Sequence, residues 1–315
     1  MVHIRFRHRS LGWAVARARF SDLFADQPGW WIVFDERGRL VEAARSGFDS
    51  VDKAIEFAES QISARYASWG KDQVAPRWER FSLPGGDDYR ELLLQLDDWP
   101  ENYQPRHYRT RNVLVHMRTS LRRSTDGRRI LFLDEVQSDW HADARQSAKV
   151  SAVRGDEQTV ARPPYAREWP LLAMKVMLWW AQRLGAEGLA WSNVELQRDR
   201  WQGYGPPDLL YRKILPEAGI ALAQALTMRF ETTRLQVRSS SRLVEQTKGS
   251  WIVRDGRGHV LTKPFYTRAQ AEAFASLTGE MTLLNVPVLW LDIAEPLTSI
   301  PLFGAGNLAS WTLRQ

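Results

Sequence analysis

The alternation of apolar and polar residues along the chain predicts a series of strands and helices. Strands are predicted at residues 77–83, 112–119, 129–137, 189–192, 230–238 and 286–293, and helices at residues 87–96, 169–184 and 208–229. Asp87 or Asp88 is expected to cap the first helix. Ser124-Thr-Asp-Gly127 predicts a hairpin turn, and the polar segment 142–164 predicts a long mobile loop. A hairpin followed by a strand–helix–strand crossover predicts an α+β protein with a mixed central sheet flanked by helices.

A short sequence repeat occurs near both ends of the chain. Gly29-Trp-Trp-Ile-Val-Phe-Asp-Glu-Arg-Gly38 recurs as Gly249-Ser-Trp-Ile-Val-Arg-Asp-Gly-Arg-Gly258. Each copy predicts a strand, an Asp-x-x-Gly turn, a second strand and a short helix, and therefore a small ββα accessory module over residues 29–62 and 249–277. The predicted domains are an N-terminal region (1–70), a core domain (71–238), an inserted module (239–280) and a return strand completing the core (281–315).

The composition narrows the class of protein. The chain has no run of about 18 apolar residues, no cysteine and no signal-peptide pattern, so we expect a cytoplasmic protein without a membrane partner. A net charge of +6 indicates an acidic partner such as nucleic acid. One loop and hairpin is expected to carry a basic patch, made of Arg106, Arg109, Arg111, Arg118, Arg122, Arg123, Arg128 and Arg129.

The strongest candidate for a functional site is the segment from Ile130 to His141. It begins as an apolar strand and then presents Asp134, Glu135, Gln137, Ser138, Asp139 and His141. A buried polar group without a partner costs about 1–3 kcal/mol, so a core strand that ends in so many polar groups must satisfy them or use them. The pattern predicts an active-site edge, and the alternative is a capped strand end followed by a solvated turn.

Further side chains are candidates for the same site. His116 shares a strand face with Arg118, and it is either a structural histidine or a proton-transfer partner of Glu135. Lys175 lies in an apolar helix, where it either reaches solvent or pairs with a carboxylate near Glu135. Trp140 is either a core residue or a stacking platform for a base. The predicted catalytic residues are Glu135, Gln137, Asp139, His141, Tyr211 and Lys175, and the predicted substrate-binding residues are His107, His116, Arg118, Ser138, Trp140 and Arg145.

The chain resembles a recurring domain of the large polyvalent proteins of bacteriophages and mobile genetic elements. The matching sequence segments cover roughly residues 77–235 and 286–303. The resemblance implies a phage or mobile-element origin, and with it a host macromolecule as partner, but it implies no settled activity. The segments are Phe81-Ser-Leu-Pro-Gly-Gly, Tyr89-Arg-Glu-Leu-Leu-Leu, Asn112-Val-Leu-Val-His-Met-Arg118, Leu131-Phe-Leu-Asp-Glu-Val-Gln-Ser-Asp-Trp-His141, the run from Trp169 to Trp191, Tyr211-Arg-Lys-Ile-Leu-Pro216 and Pro301-Leu-Phe303.

The predicted order of elements is also similar to that of GNAT-type N-acyltransferases. Residues 80–96 would be the opening strand and helix of that fold, residues 130–137 its fourth strand, and residues 169–184 the helix that faces the cofactor pyrophosphate. The resemblance implies an acyl-CoA bound where the fourth and fifth strands part. It also implies Glu135 as the base and Tyr211 as the acid of a group transfer.

Two other functions remain open at this stage. The hairpin and its Glu135-Val-Gln137 end are similar to the core of metal-dependent nucleases of the restriction-endonuclease type. Asp134, Glu135, Asp139 and His141 would then hold Mg²⁺ or Mn²⁺ through oxygen-rich ligands. The third possibility is a non-catalytic, basic and tryptophan-rich protein that binds nucleic acid or a host protein.

Overall fold

A computed structural model describes most of the chain, namely residues 3–17, 30–35, 37, 39–44, 46–63, 82–83, 85–97, 99–100, 102–105, 110–155, 157, 159–201, 209–237, 242–254, 260–276 and 282–291. The strands in these ranges are β1 (His3–His8), β2 (Trp13–Arg17), β3 (Trp31–Phe34), β4 (Asp87–Asp97), β5 (Val113–Arg123), β6 (Arg129–Gln137), β7 (Gly188–Trp191), β8 (Arg229–Val237), β9 (Leu243–Thr247), β10 (Ser250–Arg254) and β11 (Thr282–Trp290). The helices are α1 (Val51–Ala58), α2 (Asp139–Arg154), α3 (Trp169–Arg183), α4 (Val194–Trp201), α5 (Leu215–Leu226) and α6 (Arg268–Ser276). A π-helical turn, Glu59–Ser63, follows α1, and another, Leu210–Ile214, leads into α5.

The described strands form one large mixed sheet and one separate hairpin. The order in the large sheet is β3-β2-β1-β4-β5-β6-β7-β11-β8, and β9 pairs with β10 in a two-stranded sheet of its own. Neighbours in the large sheet are antiparallel except β6 and β7, which run parallel. The predicted α+β class, with a mixed central sheet flanked by helices, is therefore confirmed.

The apolar core lies between one face of the large sheet and the helices. Helix α3 is buried along almost its whole length, and its Trp180 packs against Phe6 of β1 and Trp13 of β2. Helix α5 approaches the sheet closely at Gly219, where an added Cβ would lie 2.6 Å from the ring of Trp191. Since glycine leaves room for that ring, α5 can pack directly over the end of β7.

Most of the core elements follow the sequence pattern. Strands β5, β6, β7, β8 and β11 confirm the strands predicted at residues 112–119, 129–137, 189–192, 230–238 and 286–293, and α3 and α5 confirm two predicted helices. The turn from Ser124 to Gly127 is also confirmed, since Gly127 has a φ of 87° and donates to the Ser124 carbonyl. Of the strand predicted at residues 77–83, only residues 82 and 83 are described, and they lie outside any strand.

The helix predicted at residues 87–96 is wrong, because this segment is the central strand β4. Leu92, Leu93 and Leu94 are all fully buried, so the strand presents apolar residues to both faces of the sheet. A strand buried on both faces reads as a continuous apolar run, which periodicity alone does not distinguish from a buried helix. The opening strand and helix assigned by the GNAT resemblance to residues 80–96 are corrected with it.

The long mobile loop predicted at residues 142–164 is wrong over its first half, which belongs to helix α2. Ser138 caps the start of α2 by accepting from the backbone N–H of His141, and Gly155 ends it with a φ of 74°. Only Trp140, His141 and Ala144 of this helix are buried. Its apolar stripe is therefore too narrow for a sequence pattern to reveal.

The two copies of the repeat make the same backbone contacts. We call residues 13–58 the first unit and residues 243–276 the second unit. Trp31 and Phe48 exchange two hydrogen bonds of 2.7 and 2.8 Å in the first unit, and Trp251 and Phe265 exchange two of 2.9 and 2.6 Å in the second. Each unit also contains one matching bond from the returning chain to the strand and one matching strand pair: Val41 N to Val33 O with Val15 opposite Val33, and Leu261 N to Val253 O with Val244 opposite Val253.

The helices of the two units also begin and pack alike. Ser50 caps α1 at Lys53, and Thr267 caps α6 at Gln270. The ring of Phe57 lies 5.3 Å from that of Phe48 in the first unit, and the ring of Phe274 lies 5.6 Å from that of Phe265 in the second. The predicted Asp-x-x-Gly turn of the second copy, at residues 255–258, lies outside the described residues.

Candidate functional site

The site predicted at the end of β6 lies where strand pairing in the large sheet changes from antiparallel (β5 with β6) to parallel (β6 with β7). Strands β6 and β7 pair as parallel neighbours from Ile130 to Leu133 and from Gly188 to Trp191, and then part. Beyond this point Ser192 donates to the carbonyls of Leu133 and Asp134. The side-chain amide of Gln197 on α4 donates to the same Asp134 carbonyl at 2.7 Å. Side chains thus replace the missing strand partner of β6.

Tyr211 fills the next position along the parted edge of β6. Its hydroxyl accepts a hydrogen bond from the N–H of Val136 at 2.9 Å and donates one to the C=O of Val136 at 3.0 Å. The residue lies in the π-helical turn before α5 and is 2% exposed. Both backbone groups that a further strand, or the amide of a bound ligand, would use at Val136 are therefore occupied by Tyr211.

Glu135 is held in a buried ion pair with Arg118 of β5. The Nη1 atom of Arg118 donates to a carboxylate oxygen of Glu135 at 2.7 Å, and both side chains are almost fully buried. Val136 and Met117, their neighbours, belong to the core beneath α3. Because successive side chains of a strand point to opposite faces, Glu135 and Arg118 lie on the face of the sheet away from α3.

Asp134 is engaged separately on the same face. It accepts from the hydroxyl of Ser120 at 2.7 Å and from the backbone N–H of Leu83 at 2.9 Å, with Arg122 3.9 Å away. Arg122 also donates to the carbonyl of Leu83. A β-bulge opposite Arg118 adds one residue to β6, which lets the two adjacent carboxylates reach β5 side by side. This cluster therefore fastens the segment around Leu83 to the sheet.

Gln137, Asp139 and His116 meet at the start of α2. The amide of Gln137 donates to Asp139, and Nε2 of His116 lies 3.7 Å from the same carboxylate oxygen, an ion pair only when the imidazole is protonated. His116 is 2% exposed, and Asp139 is partly accessible. The structure thus brings together Gln137, Asp139 and His116, as the sequence predicted, but it leaves Glu135 bound to Arg118.

His141 belongs to a neighbouring, local group. Its Nδ1 atom lies 2.8 Å from the hydroxyl of Ser138, and its ring stacks on Trp169 at 5.9 Å. Burial, and secondly the charge of Arg145, lower the pKa of His141 to about 4, although the Pro164 carbonyl acts in the opposite direction. The Nε2 atom is buried and makes no hydrogen bond of normal geometry. His141 is therefore neutral at pH 7.

The other predicted site residues are placed elsewhere. Trp140 is fully buried, donates to the Ala161 carbonyl at 2.9 Å and stacks on Tyr103 at 5.0 Å, so it is not a free platform for a base. Lys175 of α3 is fully buried, and burial lowers its pKa, so the alternative in which it reaches solvent is wrong, whereas its pairing with a carboxylate near Glu135 stays a prediction. Arg145 is exposed, and His107 lies outside the described residues.

The predicted metal site is not formed. On β5, Ser120 donates to Asp134 and Arg118 to Glu135, whereas Asp139 and His141 lie at the start of α2 and contact Gln137 and Ser138. Within the described ranges, no three His, Asp or Glu side chains are grouped so as to hold a metal ion. These four side chains therefore do not form the group of metal ligands that the nuclease hypothesis requires.

Of the six described arginines of the predicted basic patch, two are buried, two (Arg128 and Arg129) are half-buried and two are exposed. Arg118 and Arg122 are each only 3% exposed and make contacts inside the protein. Arg128 pairs with Asp126 and lies over the ring of Trp290. Arg111 and Arg123 are exposed, and Arg106 and Arg109 lie outside the described residues.

None of the described helices is long and apolar enough to span a bilayer.

Sequence reasoning missed Ser120, Ser192 and Gln197, which complete the hydrogen bonding around β6. For Ser192 and Gln197 the available signal was their position, since polar residues directly after a short parallel strand often face the same sheet edge. Comparison of the chain with protein-family models, with curated proteins and with solved structures found no match. The function therefore has to be inferred from these contacts.

Proposed function

We propose that the chain is a non-catalytic protein-binding module built on a GNAT-like core. The support for the core is the parted parallel pair of β6 and β7, joined through helices and followed by α5, β8 and β11. In the resembling enzymes such a gap between the fourth and fifth strands receives the acyl donor. The two ββα units are then additions to this core, one before β4 and one between β8 and β11.

The residues at this gap do not fit an acyl-CoA. The backbone groups of Val136 are taken by the Tyr211 hydroxyl. Helix α2, and not the helix at residues 169–184 that the resemblance assigned to the pyrophosphate, follows β6 directly. Ser138 caps the N–H of His141, and Asp139 adds a negative charge where a pyrophosphate would need a positive field. Residues 141–148 contain no glycine, so they also lack the flexible anion loop of the resembling enzymes.

The contact between Tyr211 and Val136 is the observation that carries the proposal. It makes the predicted acid a structural residue, just as Arg118 makes the predicted base, Glu135, part of a buried ion pair. A protein partner is favoured over nucleic acid because Arg118 and Arg122 are buried in internal contacts and Arg128 pairs with Asp126, which leaves Arg111 and Arg123 as the exposed described arginines of the predicted patch. The origin in a phage or mobile element remains a prediction from the resemblance, and it implies a host protein as the partner.

The test is binding of acetyl-CoA and of nucleic acid to three proteins. Wild type, Tyr211→Phe and the exposed control Tyr266→Phe are compared by thermal unfolding with acetyl-CoA, since a ligand that binds the folded state raises Tm. Duplex DNA and RNA are tested by filter binding across a salt series. We expect no shift and no salt-dependent retention for any of the three.

The second candidate is group transfer, with Glu135 as base and Tyr211 as acid, and the parted strands favour it. It requires Tyr211 to leave Val136 when a donor binds. Stabilisation of the wild type by acetyl-CoA that grows in Tyr211→Phe, but not in Tyr266→Phe, would replace the binding-module proposal with this one. Salt-sensitive retention of DNA or RNA would replace it with a nucleic-acid-binding function.

A further inference from the structure

The two units differ in what lies on their outer edge. In the first unit β2 has β3 on one side and β1 on the other, with Phe6 opposite Val15 and Arg7 opposite Ala14. Strand β9 of the second unit is the counterpart of β2, because Val244 stands opposite Val253 as Val15 stands opposite Val33. Within the described part of the chain, the only strand paired with β9 is β10. No described strand of the second unit is therefore a counterpart of β1.

The turn between β9 and β10 determines which backbone groups face outward. Lys248 and Gly249 have φ values of 43° and 82°, the combination of a two-residue type I′ hairpin. Thr247 and Ser250 then form the closing hydrogen-bonded pair, and pairing alternates from there along the ladder. The N–H and C=O groups of Val244 and Gln246 therefore point to the open side, where Leu243 is 64% exposed.

The first unit also indicates the chemistry of a strand that would fit. Phe6 of β1 lies opposite Val15, the counterpart of Val244, and it is an apolar residue that packs into the core. Arg5 and Arg7 flank Phe6, so the neighbouring positions, which would lie beside Glu245 and Leu243, are basic. Glu245 is half-exposed and already pairs with Arg254 of β10, and a basic residue on the open side would place a second cation beside the same carboxylate. Strand β1 itself is not available, because it is held between β2 and β4.

We propose that the open edge of β9 binds an extended segment of a partner protein as an added antiparallel strand. The segment carries an apolar residue opposite Val244 and a basic residue opposite Glu245, in the pattern of Arg5-Phe6-Arg7. Backbone hydrogen bonds to Val244 and Gln246 hold the strand, and the side chains select it. The inference rests on the proposed protein-binding function and names the surface that performs it.

A peptide of residues 1–10, labelled with fluorescein and measured by anisotropy, serves as the probe. We expect it to bind the wild type and to bind Gln246→Pro at least tenfold more weakly, because proline removes an outward N–H that an edge strand can lose without breaking its ladder. Gln246→Ala keeps that N–H and is the matched control with unchanged binding. Glu245→Lys should also bind more weakly, and a peptide with glutamate in place of Arg5 and Arg7 should not bind.

Three outcomes overturn the inference. The first is no binding of the peptide to the wild type at millimolar concentration. The second is equal binding to Gln246→Pro and Gln246→Ala, which would place the peptide elsewhere. The third is a wild-type dimer in sedimentation that Gln246→Pro abolishes, which would make a second copy of the chain the occupant of the edge. Thermal stabilisation by acetyl-CoA would instead refute the proposed function and leave the peptide result standing.

Discussion

The hydroxyl of Tyr211 lies between the amide nitrogen and the carbonyl oxygen of one residue, Val136, at 2.9 and 3.0 Å. Strand β7 ends at Trp191, so no described strand lies beside β6 at Val136. A buried backbone N–H and C=O without partners would be costly, and one phenol satisfies both. The contact therefore completes the sheet at the point where its parallel pair separates.

Removing this hydroxyl is expected to weaken the fold. Tyr211→Phe should lower the free energy of unfolding by about 1–3 kcal/mol, because it leaves two buried backbone groups of Val136 unsatisfied. Urea unfolding followed by circular dichroism measures the change. Tyr266→Phe, at an 87% exposed position, should change it by less than about 0.5 kcal/mol. Equal stability of the two variants would show that the Tyr211 contact contributes nothing.

The ion pair between Arg118 and Glu135 is expected to show strong coupling. Glu135→Leu alone and Arg118→Met alone should each cost about 3–5 kcal/mol, because each leaves a buried charge without the partner that neutralises it. The double variant should cost much less than the sum, since both charges are removed together. A double-mutant cycle in urea measures the coupling energy. Additive costs would contradict the pairing.

The sequence predicted local features of this fold better than long-range ones. The hairpin from Val113 to Gln137 was predicted because its turn residues and its alternation are local signals. The error at β4 arose because Leu92, Leu93 and Leu94 are buried by neighbours on both faces, and those neighbours are distant in the sequence. Helix α2 was missed because its cap, Ser138, was interpreted as part of a polar cluster.

The same limit applies to the candidate site. The sequence correctly placed a dense set of polar groups at the end of β6, including Gln137 and Asp139. It did not reveal the β-bulge that turns Asp134 and Glu135 towards separate partners on β5. It also did not reveal that Tyr211 reaches the backbone, since a side chain bonded to the main chain leaves no residue pattern. The presence of a polar cluster was predictable, whereas the partners with which its side chains form hydrogen bonds and ion pairs were not.

His8 is expected to make stability fall in mild acid. Burial, and then the charge of Arg90, lower the pKa of His8 from 6.5 to about 3, and its ring packs against Trp13 and Trp180. Between pH 6.5 and 3 the unfolded chain binds a proton that the folded chain does not, so the stabilisation is complete above pH 6.5 and is lost as the pH falls.

Urea unfolding at pH 7, 6 and 5 tests this dependence. His8→Gln should have a flatter profile than the wild type, by at most about 1.4 kcal/mol per pH unit. The slope is compared rather than the absolute stability, because the substitution itself also changes packing. His141, whose pKa is about 4, keeps a residual slope in the variant. Identical slopes in the two proteins would contradict a depressed pKa of His8.

The two units are expected to respond differently to the same substitution. Phe48 packs against the main core, whereas Phe265 belongs to a small separate cluster with Val253 and Ala271. Phe48→Ala should therefore lower the global free energy of unfolding, by about 2–4 kcal/mol for a partly buried ring. Phe265→Ala should instead open only the second unit, which hydrogen exchange detects as faster exchange in residues 243–276 with unchanged protection of β5 and β6. Equal loss of protection in β5 and β6 in both variants would mean that the second unit unfolds together with the main sheet, despite its separate cluster.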